Sequence, residues 1–393
     1  MTIKNIPVGY KDSPLGIIPQ EWEVKRLWEL SEINPSKGEI TSKFVTFLAM
    51  SDISEQGRVM NENIVSTDSI KSGFTPFKRN DIIVAKITPC FENGKGALLN
   101  NITEEYGFGS TEFHVIRCQQ CNRFIYYHTI SYPFRKRLES QMTGSAGQKR
   151  VSADSISSYK IPLPPLAEQE KIAEILSTWD KAIDKQTQLI EKLELRKKGL
   201  MQQLLTGKRR LPGFSEPWKE LKINRITTIK KGEQVNKDVL FSNAKYPVIN
   251  GGISPSGYLD TYNTKANTIT ISEGGNSCGY VNFMTTPFWS GGHCYTIDAK
   301  DGINNLFIYQ LLKNNEKYIM SLRVGSGLPN IQIKDLGNLK FVIPAYQEQT
   351  AIAEVLTSAD REIELAQQKL ELLRQQKRGL MQQLLTGKKR VKV

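Results

Sequence analysis

The decapeptide GLMQQLLTGK occurs twice in this sequence, at 199–208 and at 379–388, and this duplication constrains the fold more than any other feature. Each copy closes a run of about 40 residues in which apolar side chains recur at alternating steps of three and four, the spacing of a heptad seam. An internal repeat of this kind indicates that the chain is built from two related halves.

The apolar seam can be followed through both runs when the two copies are aligned without gaps. It comprises Ile172, Leu176, Trp179, Ile183, Ile190, Leu193, Leu200 and Leu204 in the first run, and Ile352, Leu356, Ile363, Leu370, Leu373, Leu380 and Leu384 in the second. Polar residues interrupt it at Gln186 and at the pair Lys197 and Lys377. Proline precedes each run and glycine follows it, which is the expected punctuation of a helix.

A helix of about 40 residues is about 60 Å long at a rise of 1.5 Å per residue, and it cannot bury an apolar stripe by itself. We therefore predict an antiparallel coiled coil within one chain, in which the intervening globular domain brings the second helix back along the first. The alternative is two amphipathic helices, each packed on its own neighbouring domain. A seven-residue spacing held over several heptads favours the coiled coil.

The remaining sequence falls into two β-rich segments that are distantly related to each other. Trp22 and Trp218 open the two segments, and a turn of small residues closes each, at 144–147 and at 325–327. We predict an α+β protein with a pseudo-two-fold repeat and these parts: a lead-in at 1–20, a first globular domain at 21–161, a long helix at 162–207, a hinge at 208–214, a second globular domain at 215–342, a second long helix at 343–387, and a basic, frayed tail at 388–393.

The charge balance favours a polyanionic partner. Lys and Arg number 53 against 40 Asp and Glu, a formal charge of +13, which is typical of nucleic-acid binding although solubility alone could account for part of it. Five scattered cysteines make no disulfide framework, and no signal peptide is evident, so we expect a reducing cytoplasm. No apolar stretch approaches the roughly 20 residues of a membrane span.

Motifs for catalysis are missing from the sequence. It contains no G-x-x-x-x-G-K-[ST] phosphate loop, no N-P-P-F-like methylation motif, and only a lone C-x-x-C at Cys118 and Cys121. The histidines show no metal-ligand spacing; His114 and His293 are expected at similar points of the two domains. We therefore predict no catalytic residue, no metal site and no cofactor.

Two sequences at the starts of the long helices point to a family. The stretches IPLPPLAEQEKIA at 161–173 and IPAYQEQTAIA at 343–353, together with the duplicated decapeptide, resemble the specificity subunits of type I restriction–modification enzymes. The resemblance implies two target recognition domains that each read one half of a bipartite sequence in double-stranded DNA. It implies an antiparallel coiled coil that sets the spacing of the half-sites and docks two DNA methyltransferase subunits, through which endonuclease subunits join. A non-catalytic subunit in the cytoplasm of a bacterium or archaeon would follow.

Candidate DNA contacts come from basic and small polar residues beside turns. Lysine and arginine hold phosphates, glycine turns admit backbone amides, and amide side chains reach base edges. The candidates are Arg135, Lys136, Gly144, Ser145, Gln148, Lys149 and Arg150 in the first domain, and Asn250, Gly251, Glu273, Asn276, Arg323, Ser326 and Asn330 in the second.

Two alternatives stay open at this point. The charge run at 135–137 fits a solvated helix face as well as a phosphate contact, and the basic residues at 196–198 fit either the helix dipole or a strip under the DNA spacer. The chain as a whole could be a coiled-coil adaptor that binds proteins and not DNA. A fused nuclease or methyltransferase is disfavoured because the corresponding motifs are missing.

Overall fold

The computed structural model describes residues 6–145, 147–325 and 329–392. The chain divides into two compact units: unit 1 comprises Met1–Lys185 with Leu370–Val393, and unit 2 comprises Gln186–Lys369. Each unit therefore combines one β-rich domain with part of both long helices. The predicted α+β fold class is confirmed. Each long helix is divided between the two units and does not form a separate unit.

Unit 1 contains two four-stranded sheets and two short ribbons, with strand orders β6-β5-β10-β7, β4-β11-β8-β9, β1-β2 and β12-β3. Its strands are β1 Tyr10–Ser13, β2 Gly16–Pro19, β3 Glu23–Arg26, β4 Ser31–Ile33, β5 Phe44–Leu48, β6 Asn63–Ser66, β7 Thr75–Lys78, β8 Ile82–Ala85, β9 Gly96–Leu98, β10 Tyr106–Gly109, β11 Phe113–Cys118 and β12 Lys160–Leu163. Its helices are α1 Asn122–Thr129, α2 Tyr132–Glu139, α3 Ala153–Ser157 and the first part of α4 Leu166–Leu204.

Unit 2 contains a four-stranded sheet, a three-stranded sheet and one ribbon, with strand orders β14-β20-β17-β18, β16-β15-β19 and β13-β21. Its strands are β13 Lys219–Lys222, β14 Thr227–Lys231, β15 Tyr246–Ile249, β16 Gly257–Leu259, β17 Thr268–Ser272, β18 Val281–Met284, β19 Trp289–Ser290, β20 Cys294–Ala299 and β21 Lys340–Ile343. Its own helices are α5 Ile223–Ile226, α6 Asn305–Asn314, α7 Glu316–Ser321 and α8 Ile333–Gly337, and α9 Tyr346–Leu384 begins here.

The long helices are bounded by the same devices in both copies. Before α4 the side chain of Gln169 donates to the carbonyl of Pro164 (2.8 Å), and before α9 that of Gln349 donates to the carbonyl of Pro344 (2.9 Å). After each helix a glycine adopts the left-handed conformation, at 207 and 387, with φ of 69° and 72°. A residue with a side chain is strained there, so the chain turns out of the helix at these glycines.

The two helices run antiparallel inside each unit, as predicted. In unit 1 Lys377 of α9 pairs with Asp180 of α4 at 2.6 Å. In unit 2 Lys197 of α4 pairs with Asp360 of α9. A late residue of one helix meets an early residue of the other in both cases, which only antiparallel helices allow.

Burial along the seam is uneven. The structure buries Ile172, Leu176, Ile183, Ile190, Leu193, Leu204, Ile352, Leu356, Leu370 and Leu384, and it leaves Trp179, Leu200, Ile363, Leu373 and Leu380 half-buried. The polar seam residues Gln186 and Lys377 are also buried, at 6% and 9% exposure. Each has a partner, because a buried polar group without one is costly.

Each long helix also forms part of a domain core. In unit 1, Ile172 and Leu176 of α4 and Met381 and Leu384 of α9 share one apolar cluster with Phe124 of α1. In unit 2 the corresponding cluster joins both helices to α6 and the strands. The coiled coil is therefore held by burial on the domains as well as by its own seam.

Each unit contains a buried glutamate that accepts hydrogen bonds from a tryptophan and an arginine. In unit 1 the carboxylate of Glu168, at 2% exposure, accepts from the indole of Trp22 (3.0 Å) and from the guanidinium of Arg390 (2.8 Å). The expectation of a frayed tail was wrong, because Arg390 satisfies a buried charge.

Unit 2 repeats the arrangement. Glu348, at 1% exposure, accepts from Trp218 (3.1 Å) and Arg210 (2.6 Å). Arg210 of the hinge thus bonds the buried glutamate of unit 2, as Arg390 of the C-terminal tail bonds that of unit 1.

The seam can be tested with two leucines that lie two residues apart. Leu193 is 5% exposed and Leu195 is 70% exposed. Leu193→Asp should destabilise the chain by about 3 kcal/mol or more because it buries an unpaired charge, whereas Leu195→Asp should change stability by less than about 0.5 kcal/mol. Urea unfolding followed by circular dichroism measures both variants. Equal unfolding midpoints would show that Leu193 is not in the seam.

Candidate nucleic-acid interface

A small hairpin in unit 1 bonds to the residues that follow the end of strand β8. Thr143 and Arg150 exchange backbone hydrogen bonds (3.1 and 2.8 Å), which closes the turn that contains Gly144, Ser145 and Gln148. The amide of Val151 donates to the carbonyl of Lys86 (3.0 Å) and joins the hairpin to the end of β8. The turn needs glycine at 144, where φ is 127° and a Cβ would approach the Gln148 carbonyl to 2.8 Å.

Charged side chains surround the base of this hairpin. Arg150 pairs with Glu112 at 2.8 Å, and Lys86 donates to the carbonyl of Thr111 at 2.7 Å. The hydrogen bond from Arg150 lowers the pKa of Glu112, and burial lowers the pKa of Lys86. The Glu112 carboxylate therefore stays ionised and holds Arg150 in one place.

The side chain of His114 bonds to the backbone of Val151, directly after the hairpin. Its Nε2 lies 2.9 Å from the carbonyl of Val151, and its Nδ1 lies 3.0 Å from the side-chain nitrogen of Asn34. A carbonyl only accepts, so Nε2 carries the proton and Nδ1 accepts from Asn34. Burial lowers the pKa of His114 to about 4, which keeps the ring neutral.

Unit 2 has the same construction after strand β17. Val324 and Asn330 exchange backbone hydrogen bonds (2.8 and 3.0 Å), and the amide of Ile331 donates to the carbonyl of Glu273 (2.8 Å). The hydroxyl of Tyr295 donates to the carbonyl of Ile331 (3.0 Å). Tyr295 thus supports this hairpin as His114 supports the other.

These contacts match positions across the two units. Lys86 corresponds to Glu273, His114 to Tyr295, and Arg150 to Asn330. The strand registers agree, since His114 lies opposite Val84 and Tyr295 lies opposite Ile271, each one residue before the end of its strand. The expected match of His114 with His293 was wrong: His293 takes the position of Glu112, two residues earlier.

The chemistry at the matched positions differs between the units. Glu273, at 9% exposure, accepts from Lys231 (2.6 Å), and the same carboxylate oxygen lies 3.0 Å from the hydroxyl of Tyr295. The single proton of that hydroxyl is shared between Glu273 and the carbonyl of Ile331. Its other oxygen lies 3.4 Å from Nδ1 of His293 and has no hydrogen-bond partner among the described residues. Burial acts to raise the pKa of Glu273, but the bonds from Lys231 and Tyr295 outweigh it and the pKa is lowered.

The predicted contact residues fall into distinct environments. Those exposed on or beside the hairpins are Gly144, Ser145, Gln148, Lys149, Arg150, Asn276, Arg323 and Asn330. Asn250 accepts from the backbone of His293 (3.0 Å), and the carbonyl of Gly251 accepts from Ser272 (2.5 Å), so both hold a loop in place. Ser326 lies outside the described residues.

Arg135 was expected at a phosphate, and the structure contradicts this. Its side chain is buried at 8% exposure and donates to the carbonyls of Thr129 (2.8 Å) and Phe91 (3.1 Å), with its guanidinium over the Phe91 ring at 4.7 Å. Burial lowers the pKa of Arg135 to about 10. Lys136 is exposed and pairs with Glu139 on the same helix face.

The candidate DNA contacts drawn from the sequence did not include Lys86, Glu112, Lys231 or His293. Each lies at or just beyond the end of a strand that reaches the hairpin. The position of polar residues directly after β8 and directly before β11 and β20 was the signal that could have found Lys86, Glu112 and His293.

Metal and thiol chemistry find no support in the described parts of the chain. They contain no group of three or more His, Cys, Asp or Glu placed to hold a metal ion. Burial raises the pKa of Cys118 to about 12 and raises that of Cys121, so both thiols stay protonated. Among the described residues no helix is long and apolar enough to cross a membrane.

A family model described as the type I restriction modification DNA specificity domain matches residues 19–195 and 215–375. The chain belongs to this family. It is 38% identical over 193 residues to the EcoAI specificity subunit of Escherichia coli, a match that covers 45% of this chain and 33% of that protein. The matches to EcoAI and to the EcoEI specificity subunit thus span about a third or less of those relatives, 33% and 27%.

Other relatives match along nearly the whole chain. The MjaIX specificity subunit of Methanocaldococcus jannaschii is 23% identical, with 97% of this chain and 96% of that protein covered. The solved S subunit of a type I system from M. genitalium has a TM-score of 0.63 at 18% identity and covers 93% of this chain and 96% of its own. This likeness shows that the two share a fold.

Acid should weaken unit 1 through His114. Its pKa is 6.5 when unperturbed and about 4 in the folded unit, so between these values the unfolded chain binds a proton that the folded unit does not. Stability from this residue is therefore lost as the pH falls from 6.5 towards 4, by up to about 1.4 kcal/mol per pH unit. His114→Gln cannot titrate, and its unfolding midpoint should fall less steeply over this range than that of the parent. Parallel curves would rule out this contribution.

Proposed function

We propose that this chain is the DNA-specificity subunit of a type I restriction–modification complex. Each unit carries a recognition domain for one half of a bipartite target in double-stranded DNA. The observation that supports this best is the matched pair of hairpins: the same backbone device is kept in both units, while the side chains at its base change from Lys86 and Glu112 to Glu273 and His293. A scaffold that repeats with altered polar groups suits two readers of different sequences.

Phosphate contacts are assigned to the exposed cations of the hairpins. Lys149 in unit 1 is exposed next to Arg150, and Arg323 in unit 2 is exposed next to Val324. Cations at such sites fix the register of a protein on DNA without reading its sequence. Arg150 is a weaker candidate because Glu112 already neutralises much of its charge.

Base contacts are assigned to the exposed amides Gln148 and Asn330. Both sit on the hairpins at matched ends of the two domains. An amide side chain can bond to N6 and N7 of adenine at once in the major groove, so these two residues suit direct readout. Lys86 and Glu273 lie at the base of the hairpins, where a lysine in unit 1 is replaced in unit 2 by a carboxylate that is paired with Lys231, so the two domains present different polar groups.

The coiled coil is assigned the tasks that the family resemblance implies. It sets the distance between half-sites and docks two methyltransferase subunits, and endonuclease subunits join through these. The chain itself contributes no catalytic residue. The competing view, a protein-binding adaptor with no affinity for DNA, predicts no salt-dependent binding to a duplex.

Lys149 should contribute one phosphate contact. In the complex with its methyltransferase subunits, Lys149→Ala should weaken binding to all duplexes alike and reduce the slope of log K against log salt by about 0.9. Lys71→Ala, at an exposed lysine that precedes a turn elsewhere in unit 1, is the matched control and should leave the slope unchanged. Titrations at several salt concentrations measure both. A changed base preference with an unchanged slope would make Lys149 a base reader instead.

The two domains should read independently. Replacing residues 216–340 with the corresponding segment of a relative should change one half of the methylated motif and leave the other half as it was. Mapping methylated bases after co-expression with the methyltransferase measures the outcome. A change in both halves would refute independent reading, and no methylation in the parent would refute the proposed function.

A further inference from the structure

The ends of the coiled coil are chemically interchangeable. Each domain packs on the same residues of the duplicated decapeptide, which are Met381, Leu384 and Leu385 in unit 1 and Met201, Leu204 and Leu205 in unit 2. The buried glutamates are also satisfied in the same way, by Arg390 and by Arg210. These contacts therefore give α4 no preference for α9 over the α4 helix of a second copy.

Two ion pairs of the coiled coil also give α4 no preference between α9 and the α4 helix of a second copy. Asp180 pairs with Lys377, and the repeat turns this pair into Asp360 with Lys197. A pairing of two α4 helices would set Asp180 of each copy against Lys197 of the other. The pair would survive, so it does not discriminate between partners.

In the middle of the coil, the contact of Gln186 differs between a mixed pair of helices and a pair of like helices. Gln186 is buried, at 6% exposure, and its side chain donates to the backbone carbonyl of Ala366 at 2.9 Å. The two residues are 180 positions apart, so each is the repeat counterpart of the other. A position that faces its own counterpart would face an identical residue in any pairing of like helices: glutamine would meet glutamine, or alanine would meet alanine.

A second asymmetric contact lies ten residues further along α4, beside the ion pair of Lys197 with Asp360. Arg196 of α4 pairs with Glu362 of α9. The repeat counterparts of these residues are Gln376 and Ala182, which cannot form an ion pair. Two α4 helices would set Arg196 against Ala182, and two α9 helices would set Glu362 against Gln376, so only the mixed pairing contains this bond.

We propose that Gln186 and Arg196 form a pairing code, an interaction surface on α4 that accepts an α9-type helix and rejects a second α4. Two glutamines would have to share the space that the structure fills with glutamine and alanine, which overpacks the seam. Two alanines would leave a void in it. One polar residue at a seam position is enough to select a partner in a coiled coil. The code keeps two different domains on one frame, whatever those domains bind.

A nicked full-length protein tests the code. A protease site inserted after Gly213 in the hinge allows the purified chain to be cut into a first fragment with α4 and a second with α9. The nicked protein is warmed until isotope-labelled and unlabelled fragments exchange, and native mass spectrometry then counts mixed and like pairs. Exchange of label establishes that the pairs are at equilibrium.

The parent should return at least about tenfold more mixed pairs than like pairs, a preference that a polar seam residue can supply. The triple variant Ala182→Glu, Gln186→Ala, Arg196→Gln gives α4 the central residues of α9 and should let the fragments pair at random. Leu195→Gln makes the same kind of exchange at a position that is 70% exposed and should leave the mixed preference intact.

A reverse set covers the case in which the triple variant does not fold. Glu362→Ala, Ala366→Gln and Gln376→Arg give α9 the central residues of α4 and should also randomise pairing. Random pairing in the nicked parent, or an unchanged mixed preference in a folded symmetrised variant, would overturn the proposal.

Discussion

One buried carboxylate in each unit determines how the chain can fold. Glu168 and Glu348 are nearly inaccessible, and an ionised carboxylate in such a place is costly unless it is bonded. A tryptophan from the start of the same domain supplies one bond, and an arginine that follows the other long helix supplies the rest. Because the arginine always comes from the far copy of the repeat, neither unit is complete until both long helices have formed. The hinge and the C-terminal tail are therefore structural elements of equal importance.

Each unit depends on an arginine that follows the other long helix. The residues that make this contact must stay constant, whereas residues outside it can vary. The decapeptide packs into a core and ends next to the arginine, so a change there disturbs both a cluster and a buried charge. The hairpins lie at the ends of strands β8 and β17 and are closed by backbone hydrogen bonds, so Gly144 is required in the first turn but the polar side chains at the base are not. Polar residues at their base can therefore exchange lysine for glutamate, or histidine for tyrosine, without loss of the frame. The long helices are nearly the same because their residues pack in both cores. The domains diverge because the polar side chains at the hairpins are not needed for that packing.

The sequence was informative wherever periodicity or duplication carried the signal. The seam and the antiparallel pairing follow from residues such as Leu193, since a stripe on a long helix has few ways to be buried. The position of a single polar side chain was not predictable in this way. Arg135 lies in a run of charges that is typical of a helix surface, yet its side chain is buried against the carbonyls of Thr129 and Phe91. The expected match of His114 with His293 was wrong because the sequence does not show that Tyr295 is the residue opposite the end of β17, as His114 is opposite the end of β8.

The polar residues in the seam show a balance between stability and pairing. Lys377 and Gln186 occupy places where leucine would bury more apolar area, so they do not maximise the stability of the coil. Lys377 also lies over the ring of Tyr127 at 5.3 Å, and the hydroxyl of Tyr127 donates to Asp180 at 2.7 Å. The ion pair thereby ties the coil to helix α1. In unit 2 the amide of Gln310 bonds Asp360 at the position matching Tyr127. A polar seam residue here orients a whole domain on the coil, a task that an apolar contact without direction could not perform.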